Sequence, residues 1–244
     1  MMTPLAFCRL QNQNEIARKY NSAEAFIART IRKDATFCAI SMTEIKIEQL
    51  VFSYNKSVPL IKCSALSLEQ GNIYALVGSN GSGKTTFLKL LLGLLKPTEG
   101  TITGIADNRI AFVPDYNGLY ESLSVLENIK FRLSLYNRRY RTEKQNVLEL
   151  LSKYKLSNEQ NKLVRDLSLG MKKKVALICA MAVEPSVLIL DEPTGGLDAD
   201  AQHELSLMLS RFMDSERIII CTSHDSEFLR ALPKCRIVSF PMEQ

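Results

Sequence analysis

The sequence predicts an α/β fold with a mostly parallel central sheet, on three observations. Short apolar runs bounded by turn residues recur along the chain, as strands covered on both faces require: Ile73–Val77, Ile110–Val113, Val187–Leu190, Ile218–Cys221 and Ile237–Phe240. Helical periodicity fills the segments between them, the alternation expected of parallel strands joined by crossovers. The first of these runs leads straight into Gly78-Ser79-Asn80-Gly81-Ser82-Gly83-Lys84-Thr85, a glycine-rich turn opening a helix.

Taken in order, residues 1–41 are rich in Asn and Gln at first. They then place Ile16, Tyr20, Ala23, Ile27 and Ile31 on one helical face, with Arg18, Lys19, Arg29, Arg32 and Lys33 forming a basic side. Such a helix suits a partner helix or an anionic membrane surface. The plainer reading is a loosely held extension, or a chain whose true start is Met42, and no function is assigned to it. The main domain is expected over 42–244. Ile45, Ile47 and Leu50 alternate as in a strand, ahead of Phe52-Ser53-Tyr54 and a turn region ending at Pro59. A helix over Thr85–Leu95 follows the glycine-rich turn. Between Leu119 and Asp166 the pattern gives consecutive helices, Val125–Tyr136 and Thr142–Tyr154, with no strand between them, hence an inserted helical subdomain at about 115–168. A further helix spans Lys172–Val183.

Composition narrows the class. A chain of 244 residues with 46% hydrophobic and 23% charged residues supports one substantial globular core. The formal charge of +5 is scattered and singles out no nucleic-acid partner. Cys8, Cys38, Cys63, Cys179, Cys221 and Cys235 are far apart with no metal-binding spacing, as free thiols of a reducing compartment are. The longest apolar runs, such as Val175–Val183, are about half the ~20 residues of a membrane span. Charged and polar residues interrupt any secretory apolar region, so a cytosolic location is expected.

Two stretches carry chemistry by spacing alone. Residues 78–85 fit GxxxxGK followed by Ser or Thr between a strand and a helix. Across Gly78, Ser79, Asn80, Gly81, Ser82 and Gly83 the backbone can turn its amides onto phosphate oxygens, and the helix N-terminus adds positive potential. Lys84 is expected on the β- and γ-phosphates, Thr85 on Mg²⁺, and Thr86 completes the nucleotide-binding stretch. A glycine-rich turn with an incidental lysine would not explain the flanking strand and helix. The second stretch, Val187-Leu188-Ile189-Leu190-Asp191-Glu192, ends a buried strand in two acids. Asp191 can hold Mg²⁺ directly or through water, while Glu192, on the other face, can serve the attacking water. Alone it would read as a charged turn closing a core strand.

A third element, Leu167-Ser168-Leu169-Gly170-Met171, stands immediately before helix Lys172–Val183. Alone it reads as a serine N-cap. With it, the chain resembles the ABC ATPase family, whose LSGGQ signature it is similar to, from about Thr43 to the C-terminus. The resemblance implies a P-loop NTPase fold, an ABC ATPase cassette with a mostly parallel central sheet, a small antiparallel β subdomain and an inserted helical subdomain. It implies Mg-dependent ATP hydrolysis at a site shared by two subunits, with the Ser168 hydroxyl and Gly170 amide on the γ-phosphate held by the opposite one. Tyr54 matches the ring that stacks on adenine, a surface or core tyrosine being the plain alternative. Asp198, in Pro193-Thr194-Gly195-Gly196-Leu197-Asp198, matches the dimer-interface acid, and His224, in Thr222-Ser223-His224-Asp225, the histidine that contacts γ-phosphate and helps hold the attacking water. Glu192, His224 and Lys84 are thereby the catalytic set, and Thr85, Asp191 and Asp115 the metal set. His203 matches nothing.

Two positions depart from the family pattern. Asp115, in Val113-Pro114-Asp115, stands where many members have Gln; it is one methylene shorter and negatively charged. Leu169 and Met171 replace Gly and Gln but leave Ser168 and Gly170 in place. Together with Gly118-Leu119-Tyr120 and Leu123-Ser124-Val125-Leu126-Glu127-Asn128, the altered signature is similar to bacterial exporters of the antibiotic-resistance and peptide-immunity type. The implied partners are a membrane permease on a separate chain, docking near Asp115 to Glu127, and a second ATPase subunit, identical or related. That puts the chain on the cytoplasmic face of the cell membrane, with no nucleic acid expected. The competing readings are a soluble ABC ATPase acting on ribosomes or nucleic acid, against which stand the single cassette and the lack of long coiled coils, and a nucleotide-gated subunit that does not turn over, against which stand Glu192 and His224.

Overall fold

A computed structural model describes residues 44–55, 58–105 and 109–242 of the chain. The helix read at Ile16 to Ile31 lies outside the described residues, as do Cys8 and Cys38. In chain order the elements are strands β1 (Glu44–Phe52), β2 (Ile61–Glu69) and β3 (Asn72–Gly78), helix α1 (Lys84–Leu91), strands β4 (Glu99–Thr103) and β5 (Ile110–Val113), helices α2 (Val125–Leu135), α3 (Tyr140–Lys153) and α4 (Leu169–Met181), strand β6 (Val187–Leu190), helix α5 (Ala199–Phe212), strand β7 (Ile218–Thr222), helix α6 (Ser226–Ala231) and strand β8 (Cys235–Phe240).

Strands β3, β5, β6, β7 and β8 are the apolar runs of the sequence. They form one sheet, parallel throughout, in the order β5-β6-β7-β3-β8. Both faces are covered over β3, β5, β6 and β7, whereas the edge strand β8, expected from its apolar run to be covered too, leaves Ile237 exposed. Ile73 and Ala75 pack with the helical side, among Val175, Ile178, Leu205 and Leu209, while Tyr74 and Leu76 point the other way to Phe87, Leu91, Ile45 and Leu68. Burying each of these Leu, Ile and Phe side chains contributes about 1.5–3 kcal/mol. Register fixes the functional edge: Leu76 pairs with Thr222 and Cys221 with Leu190, so Gly78, Thr222 and Asp191 emerge together at the carboxyl ends of β3, β7 and β6. Ligands of open parallel sheets bind at that edge.

The second sheet, β2-β1-β4, is antiparallel. Strand β1 was expected; the positions of β2 and β4 were not. Strand β2 buries Ile61, Cys63 and Leu68, but Ser64 to Ser67 blur its alternation. Strand β4 is Glu-Gly-Thr-Ile-Thr with no fully buried residue, and Gly100 sits at φ +81° where a Cβ would lie 2.2 Å from the Gln49 carbonyl oxygen, beside the register shift in β1. A strand held by so close a backbone approach has little apolar signature.

Helix α1 ends at Leu91 rather than at Leu95, because Gly93 turns into the left-handed region at φ +69° and the Leu94 amide bonds back to the Lys89 carbonyl. Helix α2 opens on a capping box in which the Ser124 hydroxyl accepts the Glu127 amide and the Glu127 carboxylate accepts the Ser124 amide. Helix α4 begins three residues earlier than the sequence pattern gave, at Leu169, because Ser168 caps it. Among the described residues no helix is long and apolar enough to cross a membrane, and Cys63, Cys221 and Cys235 are free thiols.

Candidate functional site

The glycine-rich turn leaves the carboxyl end of β3 and folds over the start of α1. Gly81 at φ +80° and Gly83 at φ +103° supply left-handed turns that other residues adopt only with strain. Gly78 is required for a different reason: a Cβ there would stand 2.4 Å from the Phe240 carbonyl oxygen and 2.9 Å from the Ser82 hydroxyl. Ser79, Asn80 and Gly81 are exposed at the tip, while Ser82, Gly83 and Lys84 are buried beneath it. Inside the turn Lys84 donates from Nζ to the carbonyl oxygens of Gly78 at 2.7 Å and Ser79 at 3.0 Å. The N-cap of α1, Gly83, supplies no side-chain acceptor to the helix amides, and the buried Ser82 hydroxyl has no hydrogen-bond partner. An uncapped helix start, an orphaned hydroxyl and a buried ammonium are together a fit for phosphate oxygens.

Thr85 follows at the mouth of the turn and donates from Oγ1 towards both carboxylate oxygens of Asp191, at 3.1 and 3.3 Å. Asp191 is 6% exposed and is held on its other side by Thr222, whose hydroxyl donates to Oδ1 at 2.7 Å. The oxygen-only pair of Thr85 and Asp191 is the donor set that Mg²⁺ takes when phosphate and water complete its shell. The same Thr222 oxygen accepts the Glu192 amide at 2.7 Å. Glu192 is in the left-handed region at φ 43°, a conformation costing about 1–3 kcal/mol for a residue with a side chain. Its carbonyl is fixed from two sides, by the Gly195 amide at 3.1 Å and by Lys173 Nζ at 3.3 Å. The strained turn directs the Glu192 carboxylate to His224, with Oε1 3.2 Å from Nε2. Both side chains are partly exposed, so their contact opens to solvent where a ligand could approach.

The remaining predicted residues fall around this centre. Tyr54 is 60% exposed beside α1, with its hydroxyl 3.2 Å from Thr86 Oγ1 and its ring nearly perpendicular to that of Phe52, centroids 5.0 Å apart. Asp115 is exposed, its Oδ1 accepting the Tyr116 amide at 2.8 Å and its carbonyl accepting Lys173 Nζ at 2.9 Å, so these bonds join it to neither Thr85 nor Asp191. Ser168 caps α4 by accepting the Met171 amide at 3.3 Å, and Gly170 packs towards Ala201. Neither residue bonds to the turn at 78–86 of the same chain, and the neighbouring Leu169 is 44% exposed. Asp198 caps α5 by accepting the Ala201 amide, and His203 is exposed on that helix. Two residues of the centre carried no role in the sequence reading. Thr222 had a usable signal, a hydroxyl directly after the apolar residues of a buried parallel strand. Lys173 had none, lying inside the run Lys172-Lys173-Lys174 that looks like a solvated face.

The sequence profile of the family described as ABC transporter matches residues 61–195, more than half of the chain. The chain belongs to the ABC transporter family. The matched span of this ABC cassette contains the phosphate turn, Ser168, Asp191 and Glu192, and leaves Tyr54 and His224 on either side of it. The sulfate/thiosulfate import ATP-binding protein CysA 2 of Rhizobium meliloti is 34% identical over 198 residues, 75% of this chain and 54% of that protein. The Nod factor export ATP-binding protein I of Cupriavidus pinatubonensis is 35% identical over 172 residues, 66% of this chain and 53% of that one. This ABC chain thus spans about half the length of the curated relatives it matches. Among solved structures, cbiO1 from Clostridium perfringens, part of the ABC transporter complex cbiONQ, superposes with a TM-score of 0.69 at 28% identity, covering 80% of this chain and 84% of that one. The fold is that of an ABC ATPase cassette.

Proposed function

We propose that this chain binds and hydrolyses ATP with Mg²⁺ and that the cycle drives a solute through a membrane permease carried on a separate polypeptide. The observation that carries the reading is the convergence on one sheet edge of a phosphate turn, an Asp191 carboxylate bonded to Thr85, and a Glu192–His224 contact of 3.2 Å. Tyr54 would stack on adenine, the amides of 78–86 and Lys84 would cradle the phosphates, and Lys84 would exchange its bonds to the Gly78 and Ser79 carbonyls for phosphate oxygens. Thr85 and Asp191 would hold Mg²⁺, which supplies charge neutralisation to the transferring phosphoryl group. Asp115 would join that ion's water shell on releasing the Tyr116 amide. Glu192 would orient and deprotonate the attacking water, and His224 would donate to the γ-phosphate.

Ser168 and Gly170 make no hydrogen bond to their own phosphate turn, which supports their serving the ATP of a second subunit, identical or related, so that each site is completed by dimerisation. Opening and closing of that dimer would move the permease, docked near Asp115 to Glu127, and would hold this chain on the cytoplasmic face of the membrane. The altered signature supports export, although the matched relatives include several named for import and one named for export.

The test is to recover the tagged protein from membranes and to measure ATPase activity of the recovered assembly, wild type and Glu192→Gln. A multi-span partner and a loss of about 100-fold or more in kcat for the variant are expected. Recovery with ribosomes or nucleic acid and no permease would sink the transport reading; undiminished hydrolysis by Glu192→Gln would sink its catalytic part.

A further inference from the structure

Among the described residues two lysines are buried, Lys84 in the phosphate turn and Lys173 in helix α4, which is 5% exposed. Taking an ammonium out of water is unfavourable by several kcal/mol unless acceptors and opposite charge compensate it. Burial pushes the Lys173 pKa below its ordinary value, against the opposing pull of Asp115, Glu192 and Asp191. Its Nζ donates to two backbone carbonyls from segments far apart in sequence, Asp115 at 2.9 Å and Glu192 at 3.3 Å. The first lies in the loop after β5 and the second in the turn after β6. One side chain of the signature helix therefore ties together the loop at Asp115 and the residue whose carboxylate faces His224.

The Glu192 carbonyl it holds belongs to a left-handed residue. Such a turn persists only while its surroundings over-determine it. The Glu192 amide is pinned by Thr222 and its carbonyl by Lys173 and Gly195. Without Lys173 one of these restraints disappears and the link to Asp115 disappears with it.

We infer that Lys173 is a positioning residue for hydrolysis: its ammonium fixes the strained Glu192 turn against the Asp115 loop and so aims the Glu192 carboxylate at the attacking water. This rests on the reading of Glu192 given above. The experiment measures steady-state ATPase kinetics and thermal melting of the full-length protein, in the assembly in which it purifies, for wild type, Lys173→Met, Lys173→Gln, Glu192→Gln and the Lys173→Met/Glu192→Gln double variant. Lys173→Met should lower kcat about 10- to 100-fold, the scale of a small misplacement of a reacting group. KM for ATP should stay within about 2-fold, because the nucleotide contacts are untouched. In the Glu192→Gln background the same change should have no further effect, since Lys173 acts through Glu192; a merely structural lysine would add its loss there too. Should Lys173→Met lack a cooperative melt, Lys173→Gln decides, with a reduced kcat at unchanged KM expected.

Wild-type kcat in the folded Lys173 variants, or a fall in kcat matched by a rise in KM, overturns the inference. So does an additive loss in the double variant. If Glu192→Gln itself keeps wild-type kcat, the underlying reading of Glu192 fails and the inference goes with it. If Glu192→Gln is inactive while the Lys173 variants are fully active, the inference alone fails.

Discussion

Thr222→Val is the sharpest perturbation of the centre that leaves its shape intact. Valine keeps the volume at a site only 1% exposed and removes the one hydroxyl that both accepts the Glu192 amide and donates to Asp191, each at 2.7 Å. The buried amide left without a partner costs about 1–3 kcal/mol, and a lost hydrogen bond to a charged acceptor about 1.5–3 kcal/mol. Asp191 keeps Thr85 as a donor, so the two losses overlap, and the expected destabilisation is roughly 2–5 kcal/mol. For a chain of this size that lowers the melting midpoint by about 5–15 °C. Urea and thermal melts followed by circular dichroism would compare wild type, Thr222→Val and Thr222→Ser, the serine restoring the hydroxyl and staying within about 1 kcal/mol of wild type. A valine variant within about 0.5 kcal/mol of wild type would refute the assignment of both bonds to one indispensable oxygen.

Gly78→Ala forces a Cβ to within 2.4 Å of a backbone oxygen of β8, so melts should show a loss of about 1–3 kcal/mol or more, with binding of a fluorescent ATP analogue weakened in step. Asn128 accepts the Tyr120 amide and donates to the carbonyls of Tyr120, Leu123 and Ser124 at a site 3% exposed; Asn128→Ala should cost about 2–4 kcal/mol by urea melt and increase proteolysis at residues 120–124. Burial pushes the thiols of Cys63, Cys221 and Cys235 up from their ordinary value of 9.0. Folded-state values above the unfolded one mean that the unfolded chain releases these protons first, so their stabilising contribution is intact below pH ~9 and lost as pH rises beyond it. The urea midpoint should therefore fall from pH 8 to about 9.5, less steeply in Cys221→Ala; equal slopes would contradict this.

What the sequence made legible follows the periodicities that burial enforces. Strands β3, β5, β6 and β7 announced themselves because both faces are covered, so every residue of Val187–Leu190 had to be apolar, whereas β8 at the sheet edge carries Arg236 and an exposed Ile237. The phosphate turn and the two acids were legible because their chemistry dictates residue type at fixed spacing. Strands β2 and β4 were not, since their sheet is held largely by backbone pairing and by the close approach of Gly100 to Gln49. Lys173 was hidden for a geometric reason. Three consecutive lysines on a helix point about 100° apart, so one of them can turn inward while the composition of the run stays that of a surface.

Leu169, the residue that stands for a signature glycine, lies across Gly196, where a Cβ would come within 2.9 Å of the leucine's Cδ2. Gly196 is itself left-handed at φ +75°. The two positions, one opening α4 and the other in the segment leading to α5, therefore share a single volume. A side chain at the second would have to push aside the free end of the exposed leucine, and a glycine at the first would release the second from that packing restraint but not from its backbone conformation. Substitutions at the two positions are therefore best made as pairs.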